Sequence, residues 1–465
     1  MSMPSTPTSP LDRARKKAYR RLLPLLFLCY VIAYVDRTNV SIAALTMRKD
    51  MPAFNDKVIG FGAGIFFLGY FLLEIPGTLI VEKWSARKWI SRIMISWGIV
   101  AALTSLVRTP EQFYGLRFLL GLAEAGFFPG VIVYLTHWFP VRDRARALSW
   151  FLIATPIAQA ISPILSGPLI RIGADEVING RAIHYPKVLG LVGWQWMYIA
   201  WGIPAVLLGI AVFVFLTDWP SQAKWLEPEE REALSAELER EKAGLKSSHG
   251  HMSWGEALRN KKVLMLAAAY FFIVTGNYGV EIFLPSILKD WYDKSYAVTM
   301  MLLVVPPLGS LVGQRFVGWN SDRTGERRLH ATIPIYLGAV ALLCTILSTN
   351  PLPLFLSIVL FTLAATGLKA YLPAFWTLPT LFLTEAAAAG SIGLINSVGN
   401  LGGFVGPYAL GWIKDSYGTY RPGVLILCVS MTISATIILT LGLGNRIPVH
   451  KPIDGPLVEP IHEPV

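Results

Sequence analysis

Charged residues and cysteines are both scarce in this chain. Only 15% of its 465 residues are charged, and only three are cysteines. Cys29, Cys344 and Cys428 all fall within apolar runs, and an odd number at wide spacing supports neither a disulfide framework nor a zinc site. We therefore expect no metal site in this protein.

Short motifs that mark nucleotide-driven pumps and hydrolytic enzymes are also missing. The chain has no Gly-x4-Gly-Lys-Ser/Thr sequence, which disfavours ATP-driven transport by this chain alone. It has neither Gly-x-Ser-x-Gly nor His-Glu-x-x-His. These absences argue against a membrane-embedded hydrolase or transferase, so we do not expect an enzyme.

Long apolar runs dominate the sequence instead. The chain is 54% hydrophobic with a mean hydropathy of +0.50, which is more apolar than a soluble domain tolerates on its surface. Runs of about 20 apolar residues, enough to cross a hydrocarbon core of about 30 Å, recur between short polar interruptions. The pattern predicts an all-α polytopic protein in the lipid bilayer, with twelve spans at 22–46, 58–81, 90–107, 111–135, 146–170, 191–216, 262–288, 298–319, 331–349, 353–381, 390–413 and 421–443.

Lysine and arginine mark the connections on one side of these spans. A basic flank from Arg13 to Arg21 precedes the first span, and further bases follow spans two, four and eight. Cytoplasmic loops carry an excess of such residues, and an even number of spans places both termini on one side. We therefore expect a cell-membrane protein with cytoplasmic termini, and we attribute the net charge of +11 to topology rather than to nucleic-acid binding.

The longest polar stretch divides the spans into two sets of six. Within it, residues 226–242 combine a proline, early acids and later bases, which is typical of a helix near the membrane surface. A solvated linker helix is the favoured interpretation, and a regulatory module is the alternative. The predicted organisation is a basic N-terminus (1–21), an N-terminal bundle (22–216), a linker (217–261), a C-terminal bundle (262–443) and a short tail (444–465).

The two sets of spans repeat a charged loop motif. Glu82-Lys83-x3-Arg87 follows span two, and Asp322-Arg323-x3-Arg327 follows span eight. Matching loops in matching halves are typical of a duplicated transporter fold, with the halves related by an axis along the membrane normal. We expect these residues to form a cytoplasmic gate, in which an acid caps a helix end beside bases; the alternative is that they only determine topology.

The second copy of this motif carries a family resemblance. Residues 318–328, Gly-x-x-Ser-Asp-Arg-Thr-Gly-Glu-Arg-Arg, resemble the cytoplasmic loop signature of the major facilitator superfamily. The first copy departs from it, with Thr78 and Ser85 in place of glycines and Glu82-Lys83 in place of Asp-Arg. The resemblance implies twelve transmembrane helices in two pseudo-symmetric six-helix bundles.

Four charged residues lie inside the predicted first and fourth spans: Asp36, Arg37, Arg117 and Glu124. A charge at the centre of a span costs roughly 3 kcal/mol on insertion scales, so such residues indicate a functional site. Arg117 and Glu124 are seven residues apart and share one helix face, with Gly121 between them clearing space. We expect all four to face a shared, partly hydrated cavity; the alternative is a static network that holds the helices together.

These charges, with the repeat, resemble the anion:cation symporter branch of the superfamily, which includes tartrate, galactonate and phthalate permeases. The resemblance covers nearly the whole chain. It implies that Arg37 binds a substrate carboxylate, that Asp36 and Glu124 carry the coupling proton, and that Arg117 pairs with an acid. The residues that it implies for the pocket lining are Tyr34, Tyr70, Gln159, Trp376, Asn396 and Asn400.

The chemistry of the residue types supports these roles. Arginine stays charged and presents a planar fork to a carboxylate, which suits it to an organic acid in a cavity of low polarity. If the anion takes Arg37 from its carboxylate partner, that partner is protonated more easily, because a neighbouring cation had favoured its charged form. Substrate and proton would then bind cooperatively.

Two charged residues depart from the pattern of that branch. Glu281 lies inside span seven and Lys369 inside span ten, seven residues before Trp376. We expect Glu281 and Lys369 to pair across the cavity, or Lys369 to contact a second carboxylate of the substrate. The alternative for Lys369 is that it extends to the membrane interface.

We expect a monomeric secondary active transporter that imports a small organic anion with protons by alternating access, without a cofactor. Exchange or uniport without proton coupling is the alternative within the same class, and a membrane-embedded enzyme or a transporter-like sensor belongs to other classes. The amides of Gln159, Asn396 and Asn400 suit a sugar acid or a tartrate-like hydroxy acid. Trp376 and Tyr70 suit an aromatic carboxylate equally well.

Overall fold

The computed structural model of the protein describes residues 9–178, 180–246, 259–348, 350–383 and 385–443. The predicted tail at 444–465 lies outside these residues. The helices, in chain order, are span 1 (Pro10–Asp50), span 2 (Asp56–Lys83), span 3 (Ala86–Leu103), span 4 (Pro110–Glu124 and Phe127–Trp138), span 5 (Val141–Leu152 and Ala154–Ile170), span 6 (Gly193–Phe215), the linker helix (Pro228–Lys246), span 7 (Lys261–Tyr292), span 8 (Tyr296–Leu302 and Val305–Thr324), span 9 (Arg328–Cys344), span 10 (Leu354–Ala370 and Leu372–Phe375), span 11 (Glu385–Asn400 and Gly402–Tyr417) and span 12 (Arg421–Thr440).

The twelve predicted spans are all helical. Ten of the described helical segments are long and apolar enough to cross a membrane, span 9 is a shorter apolar helix, and span 11 consists of two consecutive helices. Span 1 starts at Pro10 rather than near residue 22, because Ser9 caps the helix by accepting a hydrogen bond from the Asp12 backbone N–H. The basic flank is therefore the first part of the same helix.

Five of the spans are interrupted, which the apolar runs do not reveal. Spans 4 and 5 break at Gly126 and Ile153, span 8 breaks at Leu303 and Val304, and spans 10 and 11 break at Tyr371 and Leu401. Gly126 adopts a left-handed backbone with φ of +83°, which a residue with a side chain adopts only at a cost. The interruption after Glu124 places that carboxylate at a helix end, where the backbone turns.

The packing of the helices repeats between the two halves. In the N-terminal half, span 1 packs on spans 5 and 6, span 2 on span 4, and span 3 on span 6. In the C-terminal half, span 7 packs on spans 11 and 12, span 8 on span 10, and span 9 on span 12. Each contact has its equivalent six spans later, so the two six-helix bundles are pseudo-symmetric.

A short hairpin is the exception to the all-helical expectation within the described ranges. Strands β1 (Asp175–Ile178) and β2 (Arg181–His184) pair antiparallel in the connection between spans 5 and 6. The sequence between the strands is Asn179-Gly180, a strong hairpin signal, and Gly180 has a φ of +77°. The carboxylate of Glu176 accepts a hydrogen bond of 2.5 Å from the backbone N–H of Tyr296, which ties the hairpin to the start of span 8.

The halves meet at the centre of the bundle and at the face opposite the linker helix, which we call the far face. There the guanidinium of Arg48 contacts Asp56 at 2.9 Å and donates to Ser286 of span 7 at 2.5 Å. Tyr420 donates to the Asp56 carboxylate at 2.7 Å. A Cβ at Gly60 would lie 2.4 Å from the Pro407 carbonyl oxygen, so glycine lets spans 2 and 11 touch. These contacts close the far face.

The linker helix lies against the N-terminal half at the opposite face. The buried carboxylate of Glu230 is 2.7 Å from Lys17 Nζ and 3.4 Å from Arg13 Nε. Burial opposes its ionisation, but hydrogen bonds from Lys17 and from the Glu227 backbone outweigh that effect, so the pKa of Glu230 lies below its usual value. The carboxylate is therefore ionised at neutral pH, and it neutralises part of the basic flank.

We expect Glu230→Ala to loosen the linker helix at neutral pH, because it leaves two cations without their buried partner. The apparent stability of the contact should fall by about 1 to 2 kcal/mol. Faster trypsin cleavage within the linker of the purified protein would report this change.

The matched control is Glu229→Ala, because the Glu229 side chain is 77% exposed and its carboxylate lies 3.8 Å from Arg13. This variant should be cleaved at the wild-type rate. Equal cleavage rates for both variants would contradict the assigned docking contact.

Candidate functional site

Arg37 lies at the centre of the molecule, between the two halves. Its guanidinium forms an ion pair with Glu124 of span 4 and donates to the Tyr278 hydroxyl of span 7 at 3.2 Å. The guanidinium carbon lies 5.4 Å from the Phe66 ring centre and 5.3 Å from that of Tyr70. One arginine thus joins a carboxylate of its own half to a hydroxyl of the other half.

Glu124 is nearly inaccessible to solvent, and it is the last residue of the first helix of span 4. Its residue is 1% exposed, and one carboxylate oxygen has no protein partner among the described residues. The Arg37 Nε atom is likewise without one. The pair therefore retains hydrogen-bonding capacity that a substrate or a proton can use.

Asp36 and Arg117 point elsewhere, contrary to the expectation of one shared cavity. Asp36 accepts a hydrogen bond from the indole N–H of Trp97 in span 3, inside the N-terminal half. Arg117 donates to the Gly62 carbonyl oxygen at 3.2 Å, and no described carboxylate forms an ion pair with it. Successive residues of a helix are rotated by roughly 100°, so Asp36 cannot face the same way as Arg37.

The prediction for Gly121 is also wrong. A Cβ there would lie 2.0 Å from the Phe66 carbonyl oxygen, so the glycine permits close packing of span 4 on span 2. It does not clear space between Arg117 and Glu124. Small residues have this packing role in many helix pairs within membranes.

Tyr34, one turn before Arg37, organises a second network. Its hydroxyl donates to Glu281 at 3.2 Å and accepts from Lys369 Nζ at 3.2 Å and from Gln159 Nε2 at 3.3 Å. Lys369 Nζ lies 3.7 Å from the same Glu281 oxygen, to which Asn277 also donates at 3.2 Å. The expected pairing of Glu281 with Lys369 is therefore present, and Lys369 does not extend to the membrane interface.

A cavity of about 90 Å³ lies beside this second network, and we call it the central cavity. Residues of spans 1, 5, 7, 8 and 10 line it. Its polar side chains are Thr38, Ser41, Gln159, Ser162, Asn277, Glu281, Ser310 and Lys369. Of the residues predicted to bind substrate, Gln159 and Lys369 line it.

The remaining predicted pocket residues lie outside the central cavity in this conformation. Tyr70 contacts Arg37, whereas Trp376 packs edge-on against Tyr270 with ring centres 5.0 Å apart. Span 10 breaks just after Lys369, so Lys369 does not stack along one helix face with Trp376. It reaches Tyr34 instead, with its ammonium 5.7 Å from the ring centre.

Comparison with known proteins agrees with this architecture. The family model described as Major Facilitator Superfamily matches residues 26–407. The chain belongs to the major facilitator superfamily. It is a membrane transport protein rather than an enzyme, as the sequence analysis expected.

Two relatives and one solved structure illustrate the similarity. The chain is 41% identical, over 92% of its length and 94% of the relative's, to an Agrobacterium vitis protein named as a candidate tartrate transporter. It is 38% identical, over 88% and 91% of the two chains, to the quinolone resistance transporter of Acinetobacter baumannii. The inward open xylose transporter XylE from E. coli superposes with a TM-score of 0.69 at 14% identity, covering 91% of this chain and 96% of that one.

Within the superfamily fold, spans 2 and 11 carry a polar contact that the sequence analysis left unassigned. Glu74 is buried, and its carboxylate accepts hydrogen bonds from Asn396 Nδ2 at 2.6 Å and from Ser397 Oγ at 2.9 Å. Asn400 also hydrogen-bonds to it. Asn396 and Asn400, which were expected in the pocket lining, therefore hold an acid of the other half. The sequence feature that could have identified Glu74 is its position as an acid inside an apolar helix.

The described residues of each superfamily loop motif make their contacts on their own side of the molecule, without joining the two halves. Arg327 pairs with Asp322 at 2.6 Å, and Arg87 lies 3.8 Å from Asp218 at the start of the linker. The capping acid of span 9 is Glu326, which accepts from the Leu329 backbone N–H at 2.7 Å, rather than Asp322. Arg323 lies over the Trp319 ring.

Two predicted gate residues, Glu82 and Lys83, end span 2, but their side chains lie outside what the structure describes. The remaining gate residues, Arg87, Asp322, Arg323 and Arg327, make the contacts above within one half. Contacts between the two loop motifs therefore stay a prediction, for a conformation in which the cytoplasmic face is closed.

We expect Tyr34→Phe to destabilise the protein by about 1 to 3 kcal/mol, because three hydrogen bonds to one buried hydroxyl are lost and Lys369 and Gln159 lose their acceptor. The measurement is the thermal unfolding midpoint of the detergent-purified protein.

Tyr30→Phe is the control, because Tyr30 lies one turn earlier on span 1 and stacks on Phe151 with ring centres 4.3 Å apart. Its hydroxyl makes no hydrogen bond to another described side chain. An equal shift in both variants would show that the Tyr34 network contributes nothing specific.

Proposed function

We propose that this protein is a secondary active transporter that imports a small organic anion together with protons. The observation that carries the proposal is the position of Arg37, between Glu124 of one half and Tyr278 of the other. A substrate carboxylate at this arginine would contact both halves. Binding would then be coupled to their relative motion, as alternating access requires.

The chemistry of the site favours an anion. A planar guanidinium binds a carboxylate through two parallel hydrogen bonds, and this interaction is stronger where water is excluded. The similarity to a protein named as a candidate tartrate transporter points to the same substrate class. Sugar acids, tartrate-like hydroxy acids and aromatic carboxylates are the compounds to test.

The coupling follows from the ion pair. When a substrate carboxylate takes Arg37, Glu124 loses its counter-ion in a site that is almost closed to water. A carboxylate in that position binds a proton more readily, so substrate and proton bind together. Glu124 is better placed for this role than Asp36, because Asp36 is hydrogen-bonded to Trp97 away from Arg37.

The proposal also assigns roles to Asp36 and Arg117. They lie in the same buried region of the N-terminal half, and Arg117 lies over the Phe66 ring that also faces Arg37. We infer that Asp36 shares the coupling proton with Glu124 and that Arg117 balances the charge of Asp36. Both termini would lie in the cytoplasm, as the basic flank indicates.

Proton-driven uptake into liposomes tests the coupling assignment. Glu124→Gln and Asp36→Asn should each lower gradient-driven uptake by about 10-fold or more, because a neutral amide cannot exchange a proton, while counterflow persists in at least one variant. Glu111→Gln, an exposed acid at the start of span 4, is the control and should behave as the wild type. Full gradient-driven uptake in both variants would reject the assignment and favour an exchanger or a uniporter.

A thermal-shift screen of the purified protein identifies the substrate class. Its compounds are sugar acids, hydroxy-dicarboxylic acids and aromatic acids. A stabilising acid should lose its effect in Arg37→Lys, because an ammonium cannot reproduce the two-point contact. An unchanged shift in that variant would remove Arg37 from the binding site.

A further inference from the structure

Lys369 is the single cation among the described residues that line the central cavity. Its side chain is 19% exposed, and that of Glu281, 3.7 Å away, is 13% exposed. The second Glu281 oxygen is buried and has no protein partner among the described residues. A static structural pair would be expected to satisfy both oxygens, because a buried charge without a partner is costly.

This pair is the counterpart of Arg37 and Glu124. Arg37 and Glu124 belong to the N-terminal half, whereas Lys369 and Glu281 belong to the C-terminal half. Tyr34 lies one turn from Arg37 on span 1 and contacts both Lys369 and Glu281. Each half therefore presents one cation, neutralised by one acid, to the same central region.

We propose that Lys369 and Glu281 form a second exchange pair, at which the second carboxylate of a dicarboxylate substrate displaces Glu281 from Lys369 and Glu281 takes up a proton. The inference rests on the proposed function, because it requires the first carboxylate at Arg37. It assigns dicarboxylic acids as the preferred substrates and adds one proton to each dicarboxylate carried.

The charge balance supports this exchange. Without a proton, a substrate carboxylate at Lys369 would leave the Glu281 charge unpaired beside an apolar cavity wall, which is unfavourable. The groups that face Glu281 are Lys369 from span 10, Tyr34 from span 1, and Asn277 and Tyr278 on its own helix. None of them supplies a second positive charge, so a proton is the group that restores neutrality.

The surrounding donors fit a carboxylate at this position. Gln159 of span 5 and Asn277 of span 7 line the cavity, and each has an amide N–H₂ within 3.3 Å of a residue of the network. Ser41 and Ser162 add hydroxyl groups to the wall. A hydroxylated dicarboxylate would therefore find both a cation and neutral donors.

The test compares acids that differ by one carboxyl group, with the full-length protein in liposomes. The pairs are tartrate with glycerate and phthalate with benzoate. The variant Lys369→Met/Glu281→Met removes both charges together, since replacing a whole buried pair is tolerated better than breaking it. The affinity of this variant for the dicarboxylate that the wild type binds should be lower by about 10- to 100-fold. Its affinity for the matching monocarboxylate should equal that of the wild type.

Proton counting supplies the second readout. Glu281→Gln keeps Lys369 available but cannot accept a proton, so the number of protons carried per dicarboxylate should fall by one relative to the wild type. The control is Lys414→Met, because the Lys414 side chain is 16% exposed and pairs with Asp290 at 3.0 Å at the far face. It should change neither selectivity nor proton count.

The outcomes separate this inference from the proposed function. Three outcomes would overturn the second exchange pair alone. The double variant could lose affinity equally for both acids of a pair or for neither, or the proton count could be unchanged in Glu281→Gln. Failure of the wild type to bind these four acids and every acid of the thermal-shift screen would reject the proposed function and this inference with it.

Discussion

An arginine inside a membrane span needs a negative partner, and the Arg37–Glu124 ion pair meets that need at the centre of the molecule. Other features of the site depend on it. Glu124 ends the first helix of span 4, and the guanidinium of Arg37 lies over the aromatic rings of Phe66 and Tyr70. A lone charge at the centre of a span costs roughly 3 kcal/mol on insertion scales, so separation of the pair is unfavourable unless another ion or a proton replaces the lost partner.

Two polar networks join the halves at the same level. One runs from Glu124 through Arg37 to Tyr278, and the other runs from Gln159 through Tyr34 to Lys369 and Glu281. Both pass through span 1, whose residues 34 and 37 lie one turn apart on one face. A ligand that binds either network must rearrange contacts between the halves, which is how binding free energy can bias a conformational equilibrium.

Close packing at the far face complements this polar centre. Glycines such as Gly60 let the backbones of spans 2 and 11 touch, and the Arg48 contacts join span 1 to span 7. Glu74 and its donors on span 11 extend the same interface toward the centre. The N- and C-terminal halves are therefore held by tight apolar contacts with a few strong polar ones, an arrangement that can separate as rigid bodies.

The sequence by itself determined the class, the number of spans and the repeat, because apolar length and loop charge are local properties of the chain. It also identified Arg37, Glu124, Glu281 and Lys369, since a charge in an apolar run is visible without coordinates. Only the tertiary structure decided where these charges point. Asp36 and Arg117 face the interior of one half, Glu74 faces span 11, and five spans break. Helix rotation and the close approach of neighbouring backbones set those directions, and both depend on contacts between residues far apart in the chain.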